Sequence, residues 1–212
     1  DKIEVGAATT TPDAADTPHD GTLEGTSPPN NLPRWYSDGV SGNCFDFDGI
    51  DDYVVASGYK GISGSAERTV SAWIKTDSTS TQEIITWGEI ESPVVSGKLW
   101  SFRIESGVLR VVVLGGNCYG TTTVNDGNWH HVIYTYNYTS GAWKSYIDGV
   151  IDDDQIATAG VNIPSWNFFG ARNSGQYFAN CNLDEISYFE TELSALDVTA
   201  SYNSGQPTNL TI

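Results

Sequence analysis

Four aspartates crowd into the stretch "CFDFDGIDDYVV", residues 44 to 55: Asp46, Asp48, Asp51 and Asp52. Around them Phe45, Phe47, Tyr53 and Val54 call for burial, so the acids sit in a segment that otherwise reads as a β-strand. Carboxylates this close repel one another unless a cation or several backbone donors absorb the charge. The cation that suits such a set is a hard one, since Ca²⁺ takes six to eight carboxylate and carbonyl oxygens. The plainer reading is a solvated turn, for which Asp48-Gly49 is an ordinary signal.

Other chemistry-bearing groups form weaker constellations. Glu89 and Glu91 in "EIESP" share a strand face but lie in an expected loop without a third acid. Asp184 and Glu185 are adjacent, so in a strand they point to opposite faces and cannot work as a carboxylate pair. His130 and His131 are adjacent and follow Trp129, and His19 falls in the irregular start. No nucleophile elbow is present. These absences argue against an enzyme.

The three cysteines, Cys44, Cys118 and Cys181, have no metal-binding spacing, and either one disulfide with a free thiol or three free thiols fits them. A formal net charge of −17, with no basic cluster, excludes a nucleic-acid partner. The longest apolar run, "VLRVVVL" (108–114), is far too short to span a membrane, so no membrane insertion is expected. The chain contains no Met, and we read it as a mature or excised segment of a larger protein. Its acidic, Thr/Ser/Asn-rich composition fits an extracellular setting, secreted or on a cell or virion surface.

The elements that must hold these residues are short and β-like. Residues 1–43 carry Pro12, Pro18, Pro28, Pro29 and Pro33 and are expected to be an irregular lead-in, with a short strand near "GTLEG" (21–25). About ten strand-like runs follow, many alternating apolar and polar residues, with Gly, Asn, Asp or Ser in the gaps. That pattern predicts an all-β, antiparallel two-sheet sandwich in one domain, 1–212. The single helix expected is "LSALDVTASYN" (193–203), short and C-terminal, with Ser194 as N-cap and Asp197 three residues on.

Several blocks carry a family resemblance: "FDFDGIDDYV", "TVSAWIKT", "TVNDGNWHHVIYTYN", "SYIDGV", "FFGARN" and "LDEISYF". In this order they resemble the laminin G-like, concanavalin A-like family, and the closing "LSALDVTASYNSGQP" is similar to its terminal helix. The resemblance implies a jelly roll whose relatives are mostly recognition modules for sugars and glycosylated surfaces, with some glycanases and lyases. It also implies a structural calcium held by the Gly49 carbonyl and Asp184, with Asp51 and an acid of the lead-in, Asp16 or Asp13, added. The same strand pairing implies a Cys44–Cys181 disulfide, with Cys118 able to compete.

Within that family Trp73 and Trp129 are expected in the core. A glycan would be read by an aromatic plate and a few polar groups. The candidates are Trp100 and Arg103 on "LWSFRIES", Asn117 and Tyr119 in "GGNCYG" (an expected loop), Trp166, and Arg172, Asn173, Gln176 and Tyr177. The reading is a non-catalytic, calcium-stabilised carbohydrate-binding or adhesion module. A virion or phage display domain is the alternative, and a glycanase or lyase comes third. Asn137 and Asn209 lie in glycosylation sequons.

Overall fold

The computed structural model describes residues 10–11, 21–25, 32–56, 59, 61–62, 64–88, 99–113, 116–156, 167–171 and 176–206. Within them the chain forms β1 (Thr10–Thr11), β2 (Gly21–Glu24), β3 (Arg34–Gly39), β4 (Gly42–Asp48), β5 (Tyr53–Ala56), β6 (Arg68–Lys75) and β7 (Gln82–Gly88). There follow β8 (Leu99–Glu105), β9 (Val108–Val113), β10 (Gly116–Thr123), β11 (Trp129–Tyr136), β12 (Ala142–Ile147) and β13 (Val150–Ile156). The last elements are β14 (Asn167–Phe169), β15 (Asn180–Phe189) and the helix α1 (Ala195–Tyr202).

All pairings are antiparallel and build two sheets. An eight-stranded sheet runs β1-β2-β5-β14-β7-β8-β9-β10, and a seven-stranded sheet runs β13-β12-β11-β6-β15-β4-β3. The lead-in is less irregular than its prolines suggest. Pro33 ends the breaker-rich stretch, and β3 begins at the next residue, pairing with β4. Thr22 and Leu23 of β2 pair with β5.

Alternation decides which side chains enter the core. In β9, Leu109, Val111 and Val113 point inward, while Val108, Arg110 and Val112 face out. The interior between the sheets is aromatic: Trp87 and Trp100 stack 3.8 Å apart, and Tyr134 meets Trp143 edge-on. Each such ring fully buried contributes roughly 1.5–3 kcal/mol or more. Two hairpins are closed by residue pairs that both take positive φ, Ser106-Gly107 and Asp148-Gly149, the geometry that matches strand twist.

A second, smaller cluster lies on the outer side of the seven-stranded sheet. Val198 of α1 packs with Leu193 on Ile133 and Tyr146. The helix starts where expected: Ser194 and Asp197 form a reciprocal capping box, and Asn203 ends it in a left-handed conformation. Beside it Tyr202, His131 and Trp73 stack, with Trp73 4.9 Å from His131 and 5.8 Å from Tyr202. Trp73 is thus buried, but on the outer side of its sheet and under the helix, away from the core between the sheets. Trp129 is half-buried on that outer side and donates from Nε1 to the Asp38 carbonyl.

Candidate functional site

The outward side chains of β7 to β10 form a row across the eight-stranded sheet. Register places Glu83 opposite Arg103, Arg103 opposite Arg110, and Arg110 opposite Tyr119. Side chains directly opposite on antiparallel strands share a face, so these four line up across the strands. The segment after β14 closes one end of the row. The Tyr177 carbonyl accepts the Glu83 N–H at 2.9 Å, and the Tyr177 ring lies 5.6 Å from the Arg103 guanidinium. At the other end the Arg110 guanidinium sits 4.5 Å from the Tyr119 ring and donates to its hydroxyl at 2.7 Å. Tyr177, held at a φ of 56°, is 41% exposed, and Tyr119 is 45% exposed.

Charge within the row is balanced. Glu83 is fully buried; it accepts from the Thr86 hydroxyl at 3.0 Å and from Ser101, with Arg103 Nη1 3.8 Å away. Glu105 accepts from both Arg103 and Arg110. Burial alone would raise the Glu105 carboxyl, but the hydrogen bond from Arg110 and the charges of both arginines hold it below its ordinary range. One rung along, Thr86, Ser101, Val112 and Asn117 face the same way. The surface therefore combines two exposed phenol rings, two guanidinium groups fixed by carboxylates, and a neighbouring polar rung.

Three of the sequence candidates, Arg103, Tyr119 and Tyr177, meet in this row, and Asn117 is half-buried beside it. Gln176 is exposed next to Tyr177. Trp166, Arg172, Asn173, Glu89 and Glu91 lie outside the described residues. Trp100 is not a ligand contact. It is three positions from Arg103, so the pleat sends it to the opposite face, where it is fully buried against Trp87. "GNCYG" is part of strand β10, not a loop; among the described strands it lies at the edge and pairs only with β9, a place that tolerates its glycines. Glu83, Glu105 and Arg110 are not among the residues the sequence singles out. The signal for Arg110 was present, since a lone charge between Leu109 and Val111 in an alternating strand must face away from the core.

The carboxylates behave differently from the family expectation. Asn180 of β15 is opposite Asp48, and Leu183 is opposite Phe45, which puts Asp184 beyond the Phe45 level. Gly49 lies past the other end of β4, so it and Asp184 are separated by roughly 16 Å along the strand. They do not form a shared cation site. Asp184 is buried at a bulge, where it accepts from the Ser41 and Glu185 N–H groups at 3.0 and 2.9 Å. Burial pushes its carboxyl up to about 6. Gly49 turns with φ 78°, and a Cβ there would meet the Asn180 Cβ at 2.8 Å. Asp13 and Asp16 lie outside the described residues. The acids that do converge are Asp48, Asp51 and Asp52, with one oxygen of each within 4.8 Å of the others.

The expected Cys44–Cys181 disulfide is absent: all three cysteines are free thiols and buried. Cys181 is opposite Phe47 and shares its inward face, whereas Cys44, three residues from Phe47, faces outward and donates to the Tyr36 carbonyl. Two thiols on opposite faces of a sheet cannot be bridged. Burial, reinforced by Asp184 and Asp46, pushes the Cys44 thiol up to about 12. Burial pushes the Cys118 thiol up as well, reinforced by the Asp153 carboxylate to which it donates at 3.0 Å.

His130 bridges two carboxylates, with Nδ1 2.8 Å from Asp148 Oδ2 and Nε2 3.1 Å from Asp126 Oδ1. The Asp148 contact raises its pKa above the ordinary value. His131 is held neutral by burial in its aromatic stack, its pKa lowered to about 4. Neither residue lies in the row of β7 to β10.

A family model described as the concanavalin A-like lectin/glucanases superfamily, of laminin G type, matches residues 48–199. The chain belongs to that family. Among solved structures it is similar to the binding domain of Paraclostridial Mosquitocidal Protein 1, with a TM-score of 0.73 and 13% identity over 96% of this chain and 51% of that one. The binding domain of botulinum neurotoxin DC in complex with SialylT gives a TM-score of 0.71 and 18% identity, over 97% of this chain and 51% of that one. A structure reported for botulinum neurotoxin type C, whose cell entry depends on two ganglioside molecules, gives 0.71 and 20%, covering 98% and 51%. The chain thus spans about half of each of these, and at such identities they share its fold. A stretch of 31 residues is 55% identical to the rat Sushi, von Willebrand factor type A, EGF and pentraxin domain-containing protein 1, covering 15% of this chain and 1% of that protein. No helix among the described residues is long and apolar enough to cross a membrane.

Proposed function

We propose that this chain is a non-catalytic, calcium-braced carbohydrate-binding module of a larger secreted or surface protein, and that it reads its glycan on the row Tyr177–Arg103–Arg110–Tyr119. The observation that carries this reading is the pair of exposed tyrosines, each set over an arginine that a carboxylate fixes in place. Sugar rings offer an apolar face to an aromatic plate and hydroxyls to donors held in fixed directions. Because Glu83 and Glu105 offset the two arginines, the row favours a neutral sugar. The net charge of −17 further disfavours an anionic one.

The same carboxylates argue against glycoside hydrolysis, which needs an acid able to give up a proton to the leaving group. Glu83 is sealed from solvent, and Glu105 is held ionised by two guanidinium groups. The similar structures support a recognition role: two are binding domains, one of a mosquitocidal protein and one of a botulinum neurotoxin in complex with SialylT.

A glycan array probed with the purified chain tests this. We expect selective binding to neutral glycans that falls about tenfold in Tyr119→Ala and in Tyr177→Ala, the scale of one lost ring stack. Thermal stability should change by less than about 0.5 kcal/mol, since both rings are exposed. Absence of any bound glycan, or binding untouched by both substitutions, would sink the proposal.

A further inference from the structure

We infer that Glu105 is the specificity-determining residue of the row: its carboxylate fills the fork between Arg103 and Arg110 that would otherwise grip the carboxylate of an acidic sugar. This role presupposes the glycan row proposed above and adds to it the one side chain that decides the charge of the ligand.

The strand register creates the fork. Arg103 and Arg110 are directly opposite on β8 and β9, so their side chains share a face. Two like charges in that position repel and destabilise the pairing. Glu105 is two positions along β8 from Arg103, and the pleat turns it to the same outward face, diagonal to Arg110. Its Oε2 accepts from Arg103 Nη2 and from Arg110 Nη1, one oxygen between two cations. A guanidinium group recognises any carboxylate through the same N–H donors, whether the carboxylate belongs to the protein or to a ligand.

The position of Glu105 matters as much as its charge. Its side chain is 33% exposed, against 10% for Arg103 and 16% for Arg110, so the carboxylate stands on the solvent side of the fork. The exposed Tyr119 ring lies 4.5 Å from the Arg110 guanidinium, and a sugar seated on that ring brings its substituents beside the fork. Arg103 has a second carboxylate in Glu83, 3.8 Å from its Nη1, but among the described residues Arg110 pairs with Glu105 alone. Glu83, Arg103, Arg110 and Glu105 therefore cancel in charge, and removal of Glu105 leaves one positive charge centred on Arg110. An acidic sugar arriving at the wild-type row meets a carboxylate already in place. Repulsion of that kind rejects one class of ligand without weakening the other.

A glycan array carrying matched neutral and sialylated forms of the same oligosaccharides, probed with wild type, Glu105→Ala, Glu105→Gln and Asp38→Asn, tests the assignment, with thermal melts to confirm folding. We expect Glu105→Ala to bind the sialylated forms at least about tenfold more tightly than wild type does, the scale of one hydrogen bond to a charged group. High salt should shrink that gain. Glu105→Gln fills the fork without charge and should gain in the same direction but less; it carries the test if Glu105→Ala fails to fold. Asp38→Asn removes an equal charge from the outer side of the other sheet, beside Trp129, and should gain nothing. Wild type that binds neutral and sialylated forms equally, no gain in either folded Glu105 variant, or an equal gain in Asp38→Asn would overturn the assignment. If wild type binds no glycan but Glu105→Ala captures the sialylated forms, the role of Glu105 stands while the neutral-glycan reading of the wild-type row falls.

Discussion

The two sheets turn very different outer surfaces away from the shared core. On the seven-stranded sheet the outer side chains are Thr69, Ser71, Trp73 and His131, Ile133, Thr135, and much of that face is closed. Helix α1 seals Ile133 and Tyr146, while Trp73, His131 and Tyr202 stack into one column. On the eight-stranded sheet the outer row has equally large groups, but its two phenol rings remain exposed and its charges pair with one another. Aromatic content alone does not mark a binding face. What separates them is whether the protein's own chain completes the contacts of each ring.

The sharpest way to break that contrast is to truncate the closed column. Trp73→Ala should destabilise the fold by roughly 4 kcal/mol, as large-to-small substitutions at packed aromatics do. Urea denaturation would measure it. If the variant stayed as stable as wild type but lost glycan binding, the roles of the two faces would have to be exchanged.

A smaller effect is expected from Arg103→Ala. It removes the guanidinium facing the buried Glu83 and should cost about 2–3 kcal/mol, with glycan binding reduced beyond what Tyr177→Ala causes. Replacing both Arg103 and Glu83 by apolar residues should recover stability but not binding, which separates the structural role of the pair from its role toward a ligand.

The smallest expected effect, about 1 kcal/mol for each residue, concerns the two adjacent histidines, and here the sign is informative. His130 has a raised pKa through Asp148 and Asp126, so its contribution is complete below the unfolded value of 6.5 and is lost as pH rises through the raised one. His131 has a lowered pKa, so its contribution is present above 6.5 and is lost as pH falls toward about 4. Urea midpoints between pH 8 and pH 5 should therefore slope in opposite senses in His130→Gln and His131→Gln. Parallel slopes would show that one of the two contacts is not made in solution.

Much of this was legible in the sequence, for identifiable reasons. Strand alternation and the Ser194–Asp197 cap are local signals, and both the sheets and the helix appear where those signals stand. The division between Trp100 and Arg103 was legible too: three positions along a strand means opposite faces. What the sequence did not show depends on register and on bulges. Whether Gly49 or Cys44 meets the start or the end of β15 is set by pairing, and no residue type announces it. The irregularity between Asp184 and Ser187, with Glu185 at positive φ, likewise has no glycine to mark it. Glu83 is not legible in sequence because its burial is compensated by Ser101 and Arg103 of the neighbouring strand, which only the register brings to it.

The three unbridged cysteines have a practical side. A thiol attacks electrophiles and oxidants as its thiolate, and only where reagent can reach it. Cys44, Cys118 and Cys181 are at most 5% exposed and all have raised pKa values, so near neutral pH they are silent toward maleimides and slow to be oxidised. None of the three thiols is bridged, so no disulfide holds the described strands together. A single cysteine added at an exposed site such as Tyr138 would then be the one position that takes a label or couples the chain to a surface.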